Sequence, residues 1–327
     1  MKQPAIRFYD EHPAPATMLE EVLQGLTSRP RCIAPKFFYD ERGSRLFDAI
    51  CELPEYYPTR TEMGILESCA GEVAKLAGPD GTLIELGSGA SRKTRLLLEA
   101  MRPRQYLGID ISREFLRESA QLLAHDYPWL DVHAACADFL QDLELPDGAI
   151  EGRKLAFFPG STIGNFDPHE ALAFLVRVRR LIQPDGALLI GVDLKKDPQV
   201  LHAAYNDSAG ITAAFNLNLL ERLRRELGAV VNPQGFKHRA FYNDRRGRIE
   251  MHLVSRRAQD IRLNGHSFHF EPGESIHTEN SYKYSVEEFH ALARGAGLRP
   301  RQVWLDRARL FSVHYLGVHF RSRPRIA

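Results

Sequence analysis

Residues 82–94, TLIELGSGASRKT, run from a short apolar stretch through two glycines into a helix-like segment. This is a strand, a turn and a helix. Gly87 and Gly89 permit backbone conformations, and a close approach of ligand to backbone, that a Cβ would block. A G-x-G turn alone is a weak signal, because many such matches are plain tight turns, but its surroundings narrow the choice. A dinucleotide-binding loop carries a third glycine and seats a pyrophosphate at the helix N-terminus; here no third glycine follows, Ser91 and Arg92 standing in its place, and an acid, Glu85, directly precedes the loop. A carboxylate is awkward beside a pyrophosphate. It suits a ligand with ammonium and sulfonium charges, which points to S-adenosylmethionine.

Working outward, helix-like and strand-like segments alternate from about residue 62: EMGILESCAGEVAKLAG, TLIEL, RKTRLLLEAM, QYLGID, REFLRESAQLLAHDY, DVHAACAD, KLAFFPG, HEALAFLVRVRRLI and GALLIGVD. Such alternation reads as βαβ units in a doubly wound parallel sheet covered on both faces. Two of its strand ends extend the ligand reading. Asp110 closes QYLGID, where a carboxylate can accept both ribose hydroxyls of an adenosine; Asp138 and Phe139 follow the next strand, where an acid and a backbone N–H can meet adenine. Any one acid could cap a helix instead. Glu85, Asp110 and Asp138 at three successive strand ends argue against that.

Two stretches break the rhythm. Residues 1–60 read as helical and rich in aromatics and prolines, while 197–285 mix a helix, AAFNLNLLERLRREL, with antiparallel-looking strands RIEMHLVS, DIRLNG and HSFHFEPG. The expected organisation is a core of 61–196 plus 286–327 and a mixed α+β substrate-binding lobe of 1–60 plus 197–285. After 285, a helix followed by RQVWLD and FSVHYLGVHF is expected to return as an antiparallel edge hairpin.

With 327 residues and 44% hydrophobic content the chain slightly exceeds the size at which one core divides. Forty-three basic against 42 acidic residues leave a formal charge of +1, too little for a field that holds a polyanion, so no nucleic acid is expected. Cys32, Cys51, Cys69 and Cys136 form no C-x-x-C pair, which suits free thiols in a reducing cytoplasm and implies no metal. No apolar run approaches the ~20 residues that span a bilayer, and the start lacks the apolar centre of a signal peptide. A cytoplasmic, monomeric protein is expected.

KFFYDERGSRLFDAICELPEYYPTRTE, ELGSGASRKT, FPGSTIGNF, GVDLKKD and IEM followed by TENS together resemble the L-histidine Nα-methyltransferases of ergothioneine biosynthesis, in order and over essentially the whole chain. The stretch RQVWLDRARLFSVHYLGVHF departs from the pattern. The resemblance implies a class I S-adenosylmethionine-dependent methyltransferase core and successive transfer of three methyl groups to the α-amine of histidine, giving hercynine and S-adenosylhomocysteine. By resemblance, the backbone at Gly87 and the side chain of Lys93 hold the methionyl part of the cofactor, Asp110 the ribose, and Asp138 with Phe139 the adenine. A cation in a helix's first turn is unfavourable for the helix dipole, so a ligand carboxylate would compensate Lys93.

For the amino acid the matching positions are Tyr39, Phe47, Tyr56, Gly160, Asn165, Tyr205, Met251, Glu279 and Ser281. Asn165 offers a donor and an acceptor to amine and carboxylate, and Tyr56 and Tyr205 offer hydroxyls to the carboxylate. Tyr39, Phe47 and the Gly160 carbonyl suit an amine pocket that starts polar and ends crowded. Glu279 and Ser281, at i and i+2 of an extended segment, share a face and can meet both nitrogens of an imidazole, with Met251 along the ring's apolar edge. Outside the resemblance each tyrosine reads as a half-buried packing residue and Glu279 as a solvated loop acid. The alternatives are methylation of another, aromatic amino acid or a non-catalytic protein that binds S-adenosylmethionine.

Overall fold

The computed structural model describes residues 6–10, 15–89, 92–140 and 150–318. Ser91, the last two residues of the strand expected at 311–320, and residues 1–5, 11–14 and 319–327 of the expected domains lie outside them. In chain order the strands are β1 (Arg7–Asp10), β2 (Thr82–Leu86), β3 (Gln105–Asp110), β4 (Asp131–Cys136), β5 (Lys154–Phe158), β6 (Ala187–Asp193), β7 (Phe236–Asn243), β8 (Arg248–Ser255), β9 (Gln259–Leu263), β10 (His266–Phe270), β11 (Ser275–Tyr282), β12 (Leu298–Leu305) and β13 (Phe311–Val318). The helices are α1 (Pro15–Thr27), α2 (Glu41–Cys51), α3 (Tyr57–Ala77), α4 (Arg92–Met101), α5 (Arg113–Asp126), α6 (Pro168–Leu181), α7 (Pro198–Tyr205), α8 (Ile211–Leu227) and α9 (Val286–Gly295).

Eight strands form one sheet in the order β1-β4-β3-β2-β5-β6-β13-β12, parallel except for β13, which runs antiparallel to both β6 and β12. This is the class I methyltransferase sheet with its returning hairpin. Because the parallel strands are buried on both faces, successive residues feed two different cores. Leu83, Val132, Leu155 and Leu189 pack with Leu66, Val73, Leu97 and Leu123 of α3, α4 and α5 on one face. Ile84, Leu107, Phe158 and Ile190 pack with Phe174 and Val178 of α6 and Phe289 of α9 on the other. Parallel strands end together, so Gly87, Asp110, Asp138, Gly160 and Asp193 all stand at one edge of the sheet.

A third core joins α1, α2, α7 and α8 to the three-stranded sheet β11-β8-β7 and the β9–β10 hairpin, through Leu26, Phe38, Phe215, Leu219, Ile249, Leu253 and Ile276. The switch from β11 to α9 is written locally. Ser285 Oγ accepts from Glu288 N at 3.1 Å while Ser285 N donates to Glu288 Oε2 at 2.7 Å, a reciprocal cap on the helix start.

One expectation needs correcting. Residues 1–60 are not all helical, and Arg7–Asp10 pairs in parallel with β4 as an edge strand of the large sheet. Tertiary contacts decide it: the Arg117 guanidinium lies 4.3 Å from the Phe8 ring centroid, and the Tyr9 hydroxyl is 3.2 Å from His133 Nδ1. All four cysteines are unpaired thiols. No helix among the described residues is long and apolar enough to cross a membrane.

Candidate active site

At the sheet edge, Gly87 takes φ +74°, in the left-handed region where a side chain is strained. A Cβ there would stand 3.7 Å from Phe139 Cε1, so the bare glycine leaves a cradle between loop and ring. Asp110 Oδ2 accepts from Gly89 N at 3.0 Å and Oδ1 from Ser112 N at 2.8 Å, which pins the loop to the end of β3. Each oxygen keeps a further lone pair, the acceptor pattern that two ribose hydroxyls need. Burial raises the Asp110 pKa above the usual carboxylate value against those hydrogen bonds. These features fit an adenosine.

Asp138 is more encumbered. Its Oδ1 accepts from Leu140 N at 2.9 Å and its Oδ2 from Lys36 Nζ at 3.0 Å, so a lysine just before α2 reaches across to the expected adenine acid. Glu85 is buried beneath the loop and accepts from the Tyr106 hydroxyl at 2.6 Å; burial pushes its carboxyl up to about 7. Lys93 already has a carboxylate partner, but from the protein: Glu62 of α3, fully buried, takes Lys93 Nζ at 2.5 Å and Gly160 N at 2.8 Å on the same oxygen. Glu62 and Lys36 were missed because each acts across the fold from a helical segment with no motif of its own.

The amino-acid positions come together as a chain of rings. Centroids are 5.7 Å apart for Tyr39 and Phe47, 6.3 Å for Phe47 and Tyr56, and 6.4 Å for Tyr56 and Tyr205. From there the Tyr205 hydroxyl donates to Ser281 Oγ at 2.7 Å. The Tyr205 hydroxyl, expected at the substrate carboxylate, thus already has a protein partner. Asp40 caps α2 by accepting from Gly43 N at 2.7 Å and takes Asn218 of α8 at 2.8 Å, which fixes Tyr39 and Phe47 against the second core.

Glu279 lies opposite Met251, and Ser281 opposite Ile249, in the β11–β8 ladder, so acid, thioether and hydroxyl share one face. Glu279 has no hydrogen-bond donor on its carboxylate among the described residues; burial pushes it up to about 7, with Lys283 pulling the other way. Its charge is felt by Tyr39, Tyr56 and Tyr205 alike. Asn165 ends a short helical turn, Thr162–Asn165, that leaves β5 and lies on β11. Only glycine allows that contact, since a Cβ at Gly164 would come within 2.7 Å of the Tyr282 carbonyl oxygen. The expected residues thus form two adjoining groups, bridged where Ser112, bonded to Asp110, donates to the Tyr39 carbonyl at 3.0 Å.

A model of histidine-specific, S-adenosylmethionine-dependent methyltransferases matches residues 18–318. The chain belongs to that family. It is 42% identical over 307 residues to the histidine N-alpha-methyltransferase of Mycolicibacterium smegmatis, covering 92% of this chain and 94% of that protein. To the histidine N-alpha-methyltransferase of Mycobacterium tuberculosis it is 40% identical over 300 residues, 90% of this chain and 92% of that protein. Ergothioneine biosynthesis protein 1 of Neurospora crassa is 34% identical over 318 residues, which are 91% of this chain but 34% of that longer protein. As a family member this methyltransferase uses S-adenosylmethionine, for which the Gly87 cradle and Asp110 are suited.

Behind the wall, on the opposite face of β8 and β11, Glu250, His252 and His277 bring ligand-type atoms within 4.8 Å of one another. The two imidazoles stack 4.8 Å apart at 17°, so their in-plane lone pairs run side by side instead of meeting at one point. Arg248 also holds Glu250 Oε1 at 2.8 Å. The cluster continues as a stack onto Phe241, whose ring is 5.5 Å from that of His252. The stack thus joins β7, β8 and β11 on the face opposite Glu279.

Proposed function

We propose that this methyltransferase transfers three methyl groups in succession from S-adenosylmethionine to the α-amino nitrogen of L-histidine, giving hercynine as the first step of ergothioneine biosynthesis. One observation carries the choice of amino acid: a carboxylate with no donor among the described residues, Glu279, beside a hydroxyl, Ser281, on one face and within electrostatic reach of Tyr39, Tyr56 and Tyr205. A benzene ring offers such a wall nothing, and an indole offers a donor without an acceptor. An imidazole offers both. The core of 61–196 plus 286–327, with β1 added at its sheet edge, serves the cofactor, and the rest of 1–60 plus 197–285 the amino acid. Free thiols fit an enzyme working in a reducing cytoplasm, where we place it as a monomer.

The cofactor supplies a methyl group on positively charged sulfur. The chain binds, aligns and dries the amine, which must present its lone pair in line with the sulfur–methyl bond. Asn165 and Tyr56 take the amino acid's polar end, and Tyr39 and Phe47 enclose the nitrogen. Burial raises the pKa of Tyr39 and Tyr56 well above the ordinary phenol value, so both keep their protons and act as donors, not as bases. The amine's proton leaves on binding or to nearby solvent. Each transfer removes an N–H and ends in a permanent cation, for which the Tyr39 and Phe47 rings are favourable neighbours.

Mass spectrometry of L-histidine incubated with enzyme and S-adenosylmethionine is the test. Mono-, di- and trimethylated histidine are expected in sequence, and added dimethylhistidine is expected to be consumed. A dimethylhistidine that is neither bound nor methylated would mean a different product.

A further inference from the structure

Ser281 is the weaker-looking half of the ring-reading wall, because a hydroxyl both donates and accepts and so selects nothing by itself. What surrounds it removes that freedom. Lys283, two residues on and 2% exposed, points its ammonium back at the site: Nζ donates to Ser281 Oγ at 2.7 Å, to Asp193 Oδ2 at 2.7 Å and to the Tyr205 hydroxyl at 3.2 Å. Three donors meet three acceptors. An ammonium has no lone pair, so the direction of its bond to Ser281 is not in question. The Tyr205 hydroxyl gives Ser281 Oγ a second hydrogen at 2.7 Å.

We propose that Lys283 is a specificity-determining, positioning residue: it saturates the acceptor side of Ser281, turns that hydroxyl into a donor toward the pocket, and so makes the site select one tautomer of a neutral imidazole. This inference rests on reading Glu279 and Ser281 as the imidazole wall. With both oxygen lone pairs of Ser281 occupied, its own hydrogen has the pocket to point into. Glu279 accepts and Ser281 donates, which is the complement of a ring with one N–H and one bare nitrogen. An imidazolium, with two N–H groups, would set one of them against the Ser281 hydrogen with the Lys283 charge directly behind it.

Lys283 is held in place by a buried anchor at the end of β6. Asp193, 1% exposed, receives the Tyr57 hydroxyl at 2.8 and 2.7 Å on its two oxygens and Lys196 Nζ at 2.5 Å, in addition to Lys283. Burial works against its charge, yet Lys283 and Lys196 hold it below the usual carboxylate range. The ammonium is thus paired, and its loss would leave Asp193 with two other donors. There is a chemical consequence. Histidine carries two competing nucleophiles, the α-amine and the bare ring nitrogen, and a hydrogen bond from Ser281 ties up the second while the first faces Tyr39 and Phe47.

The test is nitrogen NMR of ring-15N2 histidine bound to the enzyme with S-adenosylhomocysteine. The native enzyme is expected to show one protonated and one bare ring nitrogen, in a single tautomer. Lys283→Met, which removes the donors and keeps the bulk, should mix the two nitrogen environments and raise KM for histidine about tenfold while changing kcat less. Lys283→Gln, whose amide can still donate to Ser281, should restore the native pattern. If the Met variant does not fold, Ser281→Ala asks the same question from the other partner and should also lose the single tautomer. A bound imidazolium in the native enzyme, or an unchanged single tautomer in Lys283→Met or Ser281→Ala, overturns the inference. If histidine neither binds nor is methylated, the substrate reading fails instead, which is a separate result.

Discussion

Asp110 and Glu279, the acids proposed for the ribose and for the imidazole, sit in contrasting surroundings. Asp110 is already bonded by two backbone N–H groups, at 3.0 and 2.8 Å, from the loop it must hold. Glu279 has no donor on its carboxylate among the described residues, and burial pushes it up to about 7. A group that binds an unvarying cofactor can be built into its own scaffold. A group that discriminates between amino acids keeps its bonding capacity unspent until the right ring arrives, because discrimination comes from the cost of leaving it unpaired. The cofactor half should therefore fail by losing affinity, and the amino-acid half by losing selectivity.

The largest effect is expected at Asp110. Its replacement by alanine removes the acceptor of two ribose hydroxyls and unties Gly89 and Ser112 together, so cofactor affinity should fall by ~2–4 kcal/mol. Calorimetry with S-adenosylhomocysteine measures it, and an unchanged affinity would remove Asp110 from the cofactor site.

Glu279→Ala should break the other half in a different way. Histidine's ring N–H loses its acceptor, and kcat/KM for histidine is expected to drop by ~1.5–3 kcal/mol, roughly ten- to over a hundredfold. Cofactor affinity should barely move. Because the cut also widens the pocket and removes a half-buried carboxylate, phenylalanine, tyrosine and tryptophan should gain relative to histidine. The measurement is kcat/KM for all four amino acids on both enzymes, and an undiminished preference for histidine would show that Glu279 does not read the ring.

The same contrast explains what was legible in the sequence. QYLGID and RIEMHLVS coincide with β3 and β8 residue for residue, because each is an apolar or alternating run closed by turn chemistry. Asp110 and Asp138 followed from a local rule, acids at strand ends on one sheet edge. That rule also fits Asp193, which closes GALLIGVD in the same way and was overlooked. The amino-acid wall has no local signature, since Tyr39, Tyr56, Tyr205, Met251 and Glu279 are drawn from separate segments and only the family resemblance joined them. Lys283 did leave a trace: it continues the alternation of Glu279 and Ser281 along one face, where a lysine in an inward position needs a buried partner. RFYD was unreadable, because a four-residue edge strand is decided by what its rings meet on β4 and α5.

The smallest effect is expected where the two halves touch. Lys36 comes from the short turn before Tyr39, on the amino-acid side, and reaches Asp138 on the cofactor side at 3.0 Å while also holding Glu21 at 2.9 Å. The pair is partly accessible, with side-chain exposures of 20% and 6%, so solvent screens it and its contribution is modest. If Lys36 holds the Asp138 carboxylate in position for the adenine amino group, Lys36→Met should weaken S-adenosylhomocysteine binding by about 1 kcal/mol. The preference for histidine over aromatic amino acids should stay as it is, because Lys36 lies on none of the contacts that reach Glu279 or Ser281. Calorimetry and the four-substrate comparison separate the outcomes. A variant that binds the cofactor normally but loses its preference for histidine would mean that Lys36 belongs to the amino-acid wall, and that the two halves are coupled through it and not merely in contact.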